Sequence, residues 1–215
     1  MPELSGQIEK YLCAGLVAQK ISFNEQKIIQ LRNYLELLSK WNNTHNLTAI
    51  TNFKRMVDLH VLDSLSVLSE IKGPNLLDVG SGGGLPGLIV AIFKPDLQVT
   101  SIDARGKKIQ FQQFAAATLG LNNFQAIHSR VEQYQTQKLF AQIISRAFSS
   151  LDNFIGLTEH LLQADGQWLA MKGQLPEDEM LELFKKRAMQ PSLVKSLSVP
   201  NVDAERHLLI FKPTV

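Results

Sequence analysis

The chain has 215 residues, of which 45% are hydrophobic and 20% charged, as expected for one compact domain or one domain with a small appendage. With 22 Lys+Arg and 20 Asp+Glu the net charge is +2, which excludes a polybasic or acidic tail-like protein but leaves a nucleic-acid partner open. The single cysteine, Cys13, excludes a disulfide framework and an all-cysteine metal site.

Two features of the sequence bear on the cellular compartment. The first ten residues, MPELSGQIEK, contain no apolar segment of the kind that secretory signals carry. The longest apolar run, over 85–93, is interrupted by Pro86 and is too short to cross a bilayer. We therefore expect a soluble, cytoplasmic protein with no membrane association, and a monomer is the default expectation.

Residues 1–72 predict a helical N-terminal cap. Ser22 followed by Glu25 forms a capping box that predicts a helix start. Behind it an apolar stripe recurs at helical spacing, made of Ile28, Leu31, Leu35, Leu38 and Trp41. A third helix is predicted over 53–70, with an apolar face made of Val57, Val61, Leu65 and Leu68.

Residues 73–215 alternate short apolar runs with longer helical ones, which predicts an α/β domain with a mostly parallel sheet and right-handed crossovers. The predicted strands cover 75–80, 98–103, 124–129, 141–146 and 167–173, and a final pair at the sheet edge covers 193–199 and 206–212. The predicted helices cover 87–93, 107–120, 150–163 and 177–189.

The strongest chemical signal is the glycine loop DVGSGGGLPG over 78–87, between a strand and a helix. Such a loop lets a ligand approach the backbone at the carboxyl end of a strand; the alternative is a glycine-rich turn without a ligand. A dinucleotide fingerprint counted from Gly80 and Gly82 needs its third glycine where Leu85 stands, so NAD fits badly in register. The spacing Asp78-x-Gly80-x-Gly82-x-Gly84 instead resembles motif I of class I S-adenosylmethionine-dependent methyltransferases.

Asp103 ends the second predicted strand, about twenty residues after the loop. A carboxylate at this place can accept hydrogen bonds from ribose hydroxyls, and the alternative is that it caps the following helix. Asp103 alone does not distinguish a site for S-adenosylmethionine from a site for NAD, because both cofactors carry a ribose.

Several cations are predicted to gather at the same sheet edge. Residues 104–130 contain no acidic side chain, and further cations end the fourth and fifth strands, so we expect a cation-lined mouth that binds phosphates, with isolated surface cations as the alternative. The cations are Arg105, Lys107, Lys108, Arg130, Arg146 and Lys172. Lys185, Lys186 and Arg187 are instead interpreted as the basic end of a helix that opens with acidic residues.

No catalytic dyad or metal site is expected. The five histidines are scattered without metal-ligand spacing. His60, Asp63 and Ser64 could imitate a hydrolase triad, but they lie on a predicted helix, so we interpret them as a helix surface or a cap-to-core hydrogen bond. Trp41 with its polar neighbours could stack bases, but we favour a core position because it continues the apolar stripe.

Several of these segments together resemble one family. The loop at 78–87 is followed in order by SRVE (129–132), ISRAF (144–148), MKGQLPEDE (171–179) and ERHLLIFK (205–212), with WNNTHNLT (41–48) and HVLDS (60–64) upstream. Over about 31–212 the chain resembles the RsmG family, also called glucose-inhibited division protein B, of bacterial 16S ribosomal RNA methyltransferases. The resemblance implies methyl transfer from S-adenosylmethionine to N7 of a guanine in the 530 loop of that RNA.

The resemblance also implies site residues. Gly80 and Leu85 would line the methionine end of the cofactor, Asp103 the ribose, and Val131 and Glu132 the adenine region. Gly82 would also bind the cofactor, and Arg146 would lie beside the cofactor and the incoming base. It adds Arg206 and His207 as candidate RNA contacts. Gly83 and the helix start Leu88-Ile89-Val90 depart from the family pattern, which affects only the expected geometry of the loop.

Because N7 of guanine carries a lone pair and no proton, we expect catalysis by positioning, without a general base. We expect the substrate to be a folded particle, the small ribosomal subunit, rather than naked RNA. Alternatives are a methyltransferase of this fold acting on another acceptor, a ribosome-assembly factor that holds the cofactor without turnover, and an NAD-dependent oxidoreductase.

Overall fold

A computed structural model describes residues 2–213, with side-chain environments from residue 6 onward. The N-terminal part is helical, as predicted. It consists of α1 (Pro2–Ala18), α2 (Glu25–His45), α3 (Phe53–Met56), a π-helical segment (Val57–Leu62) and the short α4 (Asp63–Leu65).

Two predictions for this part were wrong in detail. The N-cap of α2 is Asn24, whose side chain accepts a hydrogen bond from the backbone N–H of Lys27, so Ser22 is not the cap. Asparagine caps a helix as well as serine does. The third helix ends at Leu65 rather than at residue 70, where Ser66 Oγ donates to the carbonyl of Asp63 at 2.6 Å and the chain continues as turns.

A seven-stranded sheet with order β3-β2-β1-β4-β5-β7-β6 forms the centre of the molecule. β1 to β5 are parallel to one another. β7 pairs antiparallel with β5 and with β6, which completes the sheet with the predicted edge pair. The strands are β1 (Asn75–Val79), β2 (Gln98–Asp103), β3 (Phe124–His128), β4 (Phe140–Arg146), β5 (Leu162–Lys172), β6 (Leu193–Ser196) and β7 (His207–Phe211).

Helices follow the parallel strands: α5 (Gly87–Phe93), α6 (Gly106–Leu119), α7 (Leu151–Thr158) and α8 (Glu177–Arg187). The helix predicted over 150–163 is shorter than expected, because a 3-10 turn (Glu159–Leu161) ends it and β5 begins at Leu162. Between Phe140↔Leu162 and Gln142↔Gln167 the register with β4 shifts, and the inserted residues lack the apolar pattern of a buried strand.

The sheet is covered on both faces. The N-terminal helices share one apolar cluster with α5, α6 and one face of the sheet, whereas α7 and α8 cover the other face. Trp41 joins the first cluster, with its ring 5.7 Å from that of Phe111. The N-terminal cap is therefore packed into the main core, and a domain division at residues 72 and 73 stays a prediction.

The strand order reverses direction at β1, which has β2 on one side and β4 on the other. In open α/β sheets, ligands bind outside the carboxyl ends of the strands at such a point. The glycine loop follows β1 there, Asp103 ends β2 and Arg146 ends β4. None of the helices within residues 2–213 is long and apolar enough to span a membrane.

Candidate active site

The glycine loop requires glycine for backbone reasons. Gly80, Gly82 and Gly84 have φ of +69°, +59° and +82°, a region that other residues occupy only with strain. A Cβ at Gly80 would lie 2.7 Å from Cδ2 of Phe148, whereas at Gly82 only Lys108 Nζ comes near, at 3.7 Å. The loop thus presents open backbone at its tip.

Buried polar side chains hold the loop from behind. Gln112 Nε2 donates to Ser81 Oγ at 2.8 Å and to the carbonyl of Gly82 at 2.9 Å. Ser101 Oγ donates to Gln112 Oε1 at 2.6 Å, and on the other side Tyr34 donates to the carbonyl of Gly83 at 2.8 Å. Because these groups are buried and mutually paired, they fix the loop in one conformation.

Asp103 contacts both the loop and the start of α6. Its Oδ2 accepts from the backbone N–H of Gly82 at 3.0 Å, and its Oδ1 accepts from the N–H of Arg105 at 2.9 Å. The N-cap of α6 is Arg105, so Asp103 is not the cap residue that the alternative interpretation required. A carboxylate with two oxygens has lone pairs left for ribose hydroxyls.

Asp78 lies fully buried beneath the loop. Its Oδ2 accepts from the N–H of Gly87 at 2.7 Å, and its Oδ1 has no hydrogen-bond partner within the described chain. Burial raises the pKa of this carboxyl from 3.8 to about 7, against the opposing effects of the Gly87 bond and of Arg146.

This raised pKa predicts a pH dependence of stability. The stability contributed by protonated Asp78 is fully present below pH 3.8 and is lost as the pH rises to about 7. An Asp78→Asn variant keeps an acceptor for Gly87 but does not ionise. We therefore expect urea unfolding to show that the wild type loses a few kcal/mol relative to this variant between pH 4 and pH 8. A difference between the two proteins that does not change with pH would contradict the assignment.

Two cavities meet at the carboxyl ends of β1 and β4. One of about 170 Å³ is bounded by the glycine loop, and one of about 450 Å³ lies between the π-helical segment and the ends of β4 and β5. His60, Arg146 and Ala147 line both. A third cavity of about 690 Å³ shares no lining residue with them and lies apart from the site.

Arg146 joins the end of β4 to the N-terminal helices. Its Nη1 donates to the carbonyl of Leu59 at 2.9 Å and to Asp63 Oδ2 at 2.8 Å. Asp63 Oδ1 accepts from Nε of Arg206 at 3.1 Å, so one carboxylate binds two guanidinium groups. Because Asp63 is 3% exposed, the helix-surface alternative of its interpretation was wrong, and its hydrogen bonds instead join it to distant segments.

The structure also separates the groups that imitate a triad. His60 Nε2 lies 2.9 Å from Thr48 Oγ1, and Ser64 Oγ has no hydrogen-bond partner within residues 2–213. Burial, with Arg146 as a second cause, lowers the pKa of His60 from 6.5 to about 4, so the ring is neutral at pH 7. A nucleophile activated by a histidine is therefore absent from this group of residues.

The predicted cations fall into two groups. Arg146, Lys172 and Arg206 line the 450 Å³ cavity and bind carboxylates, with Lys172 Nζ 2.8 Å from Glu179 Oε2. The second group lies on the other side of the glycine loop, beyond β2 and β3. There Arg105, Lys107 and Arg130 are exposed, and Lys108 Nζ lies 3.8 Å from Asp103 Oδ2.

Val131 and Glu132 begin a 3-10 turn after β3. Val131 is buried and Glu132 is exposed, with Arg130 Nη1 3.7 Å from Glu132 Oε1. The turn starts close to the end of β2, because the N–H of Ser129 donates to the carbonyl of Asp103 at 3.3 Å. Lys186 and Arg187, which we did not assign to RNA, pair with Asp152.

Sequence reasoning missed several residues of the site. Nothing in the pattern of α2 singles out Tyr34, whose hydroxyl reaches the glycine loop. Ser101 and Gln112 are polar residues within otherwise apolar elements, which is a signal that a search for buried polar groups could have used. Asp63 was named only as a member of a false triad and as part of the segment HVLDS, which resembles a family motif. Neither observation indicated its contacts with Arg146 and Arg206. Among the described residues, no cluster of His, Cys, Asp or Glu could hold a metal ion.

Solved structures confirm the class of fold. An S-adenosylmethionine-dependent methyltransferase from Aquifex aeolicus is 15% identical, with a TM-score of 0.58 over 74% of this chain and 93% of that one. A Burkholderia thailandensis 1,6-didemethyltoxoflavin-N1-methyltransferase, solved with S-adenosylhomocysteine, is 13% identical. Its TM-score is 0.57, over 91% of this chain and 92% of that one. The fold is therefore that of the class I methyltransferases.

Sequence relatives identify the family. The family described as rRNA small subunit methyltransferase G matches residues 27–209. A Methylobacillus flagellatus protein named ribosomal RNA small subunit methyltransferase G is 51% identical over 86% of this chain and 87% of its own. A protein of the same name from Marinobacter nauticus is 44% identical over 97% of this chain and 95% of its own. The chain belongs to this family, as its motifs predicted.

Proposed function

We propose that this chain transfers a methyl group from S-adenosylmethionine to N7 of a guanine in the 530 loop of 16S rRNA, within the small ribosomal subunit. The observation that carries the proposal is the glycine loop, which opens at the carboxyl end of β1 beside the cavity lined by Arg146, in a member of an rRNA small subunit methyltransferase family. The same proposal places the chain in the bacterial cytoplasm, where ribosomal subunits are assembled, as a monomer.

The residues present fit the cofactor. Gly80, Gly82 and Leu85 bound the smaller cavity and would hold the methionine end, where the open face of Gly82 leaves room for a ligand. Asp103 would accept from the ribose hydroxyls, and Val131 and Glu132 would flank the adenine. Bound there, S-adenosylmethionine supplies an electrophilic methyl group on a sulfonium.

The chain's own part in catalysis is to align the two reactants. N7 of guanine is an acceptor without a proton, so no general base is needed, and His60 is already bonded to Thr48. Alignment of bound reactants can contribute roughly 7–11 kcal/mol in well-oriented cases. We propose that Arg146, which lines both cavities, positions the base beside the methyl group.

The exposed cations beyond β2 and β3 would bind RNA phosphates. We expect Lys107→Glu to raise KM for small subunits several-fold and to reduce the salt dependence of binding, because each phosphate contact releases counterions. Lys185→Glu on α8 is the matched control, since Lys185 is an exposed lysine on another surface. Equal KM values for the two variants, measured by methylation of subunits at several salt concentrations, would remove this surface from the RNA interface.

The direct test of the reaction uses S-adenosylmethionine labelled in its methyl group. Small subunits and naked 16S rRNA from a strain that lacks the modification would be offered separately, then digested to nucleosides and separated by chromatography. We expect label in 7-methylguanosine, with more from subunits than from naked RNA. Absence of label despite calorimetric binding of the cofactor would indicate another acceptor or a cofactor-holding assembly factor. Absence of cofactor binding would contradict the assignment of the glycine loop.

A further inference from the structure

Three distant parts of the chain meet at one carboxylate on the wall of the 450 Å³ cavity. Asp63 follows the π-helical segment, Arg146 ends β4, and Arg206 lies immediately before β7. Their separations along the chain are 83 residues between Asp63 and Arg146 and 143 between Asp63 and Arg206. All three residues line the cavity.

The local structure around Asp63 favours this meeting. The π-helical segment changes the backbone bonding, so that the N–H of Asp63 donates to the carbonyl of Asp58. The carbonyl of Leu59, within the same segment, accepts from Arg146. Short π-helical segments occur frequently at functional sites, and here the segment brings both an acidic side chain and a backbone carbonyl to one guanidinium.

The guanidinium groups keep hydrogen-bond donors for a ligand. The contacts described engage Nη1 of Arg146, and Nε and Nη1 of Arg206. A guanidinium has five N–H donors, so each side chain has donors left for another acceptor. The side chains of Arg146 and Arg206 are 23% and 24% exposed, whereas that of Asp63 is only 5% exposed. The carboxylate therefore lies behind the two cations, away from solvent.

The major-groove edge of guanine selects for donors of this kind. It presents the acceptors N7 and O6, whereas adenine presents a donor at N6 in place of O6. Since N7 must stay free to accept the methyl group, O6 is the group on this edge that the protein can use for recognition. Paired arginine donors match an oxygen acceptor and do not match an amino group.

We propose that Asp63 is a positioning residue that fixes Arg146 and Arg206 on the cavity wall, where the pair donates hydrogen bonds to O6 of the acceptor guanine. The proposal rests on the proposed function, because it concerns the base that receives the methyl group. It assigns Arg206 to selection of the base rather than to general attraction of phosphate.

The test combines a protein variant with a base variant. Small subunits would be reconstituted with 16S rRNA that carries either guanine or 2-aminopurine at the acceptor position. 2-Aminopurine lacks O6 but keeps the N7 lone pair. Asp63→Asn is compared with Asp58→Asn, which changes another buried carboxylate of the same helical stretch, bonded to Tyr11 and Asn201. Transfer of labelled methyl is measured together with calorimetric binding of S-adenosylmethionine.

We expect wild type and Asp58→Asn to methylate the guanine subunits about 10-fold faster, in kcat/KM, than the 2-aminopurine subunits. Asp63→Asn should lose about 10-fold on guanine and lose little more on 2-aminopurine, because the O6 contact is already gone. Cofactor affinity should stay unchanged. An equal loss of kcat/KM on both substrates would mean that Asp63 acts only on the structure. Equal kcat/KM of the wild type on guanine and 2-aminopurine subunits would mean that O6 is not recognised. Either result overturns the proposal. If wild type binds the cofactor but methylates neither substrate, the proposed function itself fails.

Discussion

A Gly80→Val variant is expected to bind S-adenosylmethionine about 100-fold more weakly than the wild type while retaining a cooperative fold. Gly80 has a φ of +69°, and a branched side chain in that region costs roughly 1–3 kcal/mol. Its Cβ would also lie 2.7 Å from Cδ2 of Phe148, so that either the ring or the loop must move. Since Gly80 bounds the smaller cavity, the change acts where the cofactor is proposed to bind.

Gly120→Val is the matched control for this variant. Gly120 has the same φ of +69°, but no atom lies within 4 Å of the position that its Cβ would take. Gly120 is the C-cap of α6, so valine there causes a similar backbone strain and leaves the glycine loop unchanged. Calorimetry should find wild-type affinity for Gly120→Val. Equal losses of cofactor affinity in the two variants would show that backbone strain acts through overall stability. That result would contradict the assignment of the glycine loop to cofactor binding.

Replacement of Asp103 by Ala is expected to weaken S-adenosylmethionine binding by about 30-fold. Hydrogen bonds to a charged group contribute about 1.5–3 kcal/mol, and the substitution also removes the acceptor for the N–H of Gly82. Asp103→Asn keeps one acceptor oxygen and should lose less. Asp152→Asn, which changes a carboxylate that pairs with Lys186 and Arg187 on other elements, should leave the affinity unchanged.

A ligand change separates the two roles of Asp103. We expect the wild type to bind a 2′-deoxyribose analogue of S-adenosylhomocysteine more weakly than S-adenosylhomocysteine itself. The Asp103→Ala variant should show little difference between the two, because the acceptor for the hydroxyl is missing. A variant that still discriminates between them as strongly as the wild type would restrict Asp103 to holding the loop.

The parts of the site that sequence predicted are those encoded locally. The spacing of Gly80, Gly82 and Gly84 predicted a strand-to-helix loop. A tight loop of this kind has several residues with positive φ close together in the chain, and glycine adopts that conformation most readily. Asp103 and Arg146 could be predicted as site residues because each ends a strand with a clear apolar pattern. The residue pattern predicted the α/β class and the helical cap for the same reason, and the family motifs agreed with both.

The parts that sequence reasoning missed depend on contacts between distant segments. Asp63 lies one helical turn from His60, which suggested a helix surface. Its partners, Arg146 at the end of β4 and Arg206 immediately before β7, lie far along the chain. No helical periodicity indicates a π-helical segment either. Asn24 and Ser22 both precede α2, and only the backbone conformation decides which one caps it. Predicted cations likewise could not be sorted into exposed and ion-paired groups without their neighbours.

The central claim is that a guanine of the 530 loop receives the methyl group at N7, and the position of the product tests it most directly. 7-Methylguanosine in RNA can be cleaved selectively after borohydride reduction and aniline treatment, and primer extension then locates the break. Subunits that lack the modification would be treated with cofactor and either wild-type chain or Gly80→Val. We expect one new break, inside the 530 loop, with wild type, and a much weaker one with the variant. A break elsewhere in 16S rRNA, or none despite incorporated label, would contradict the claim.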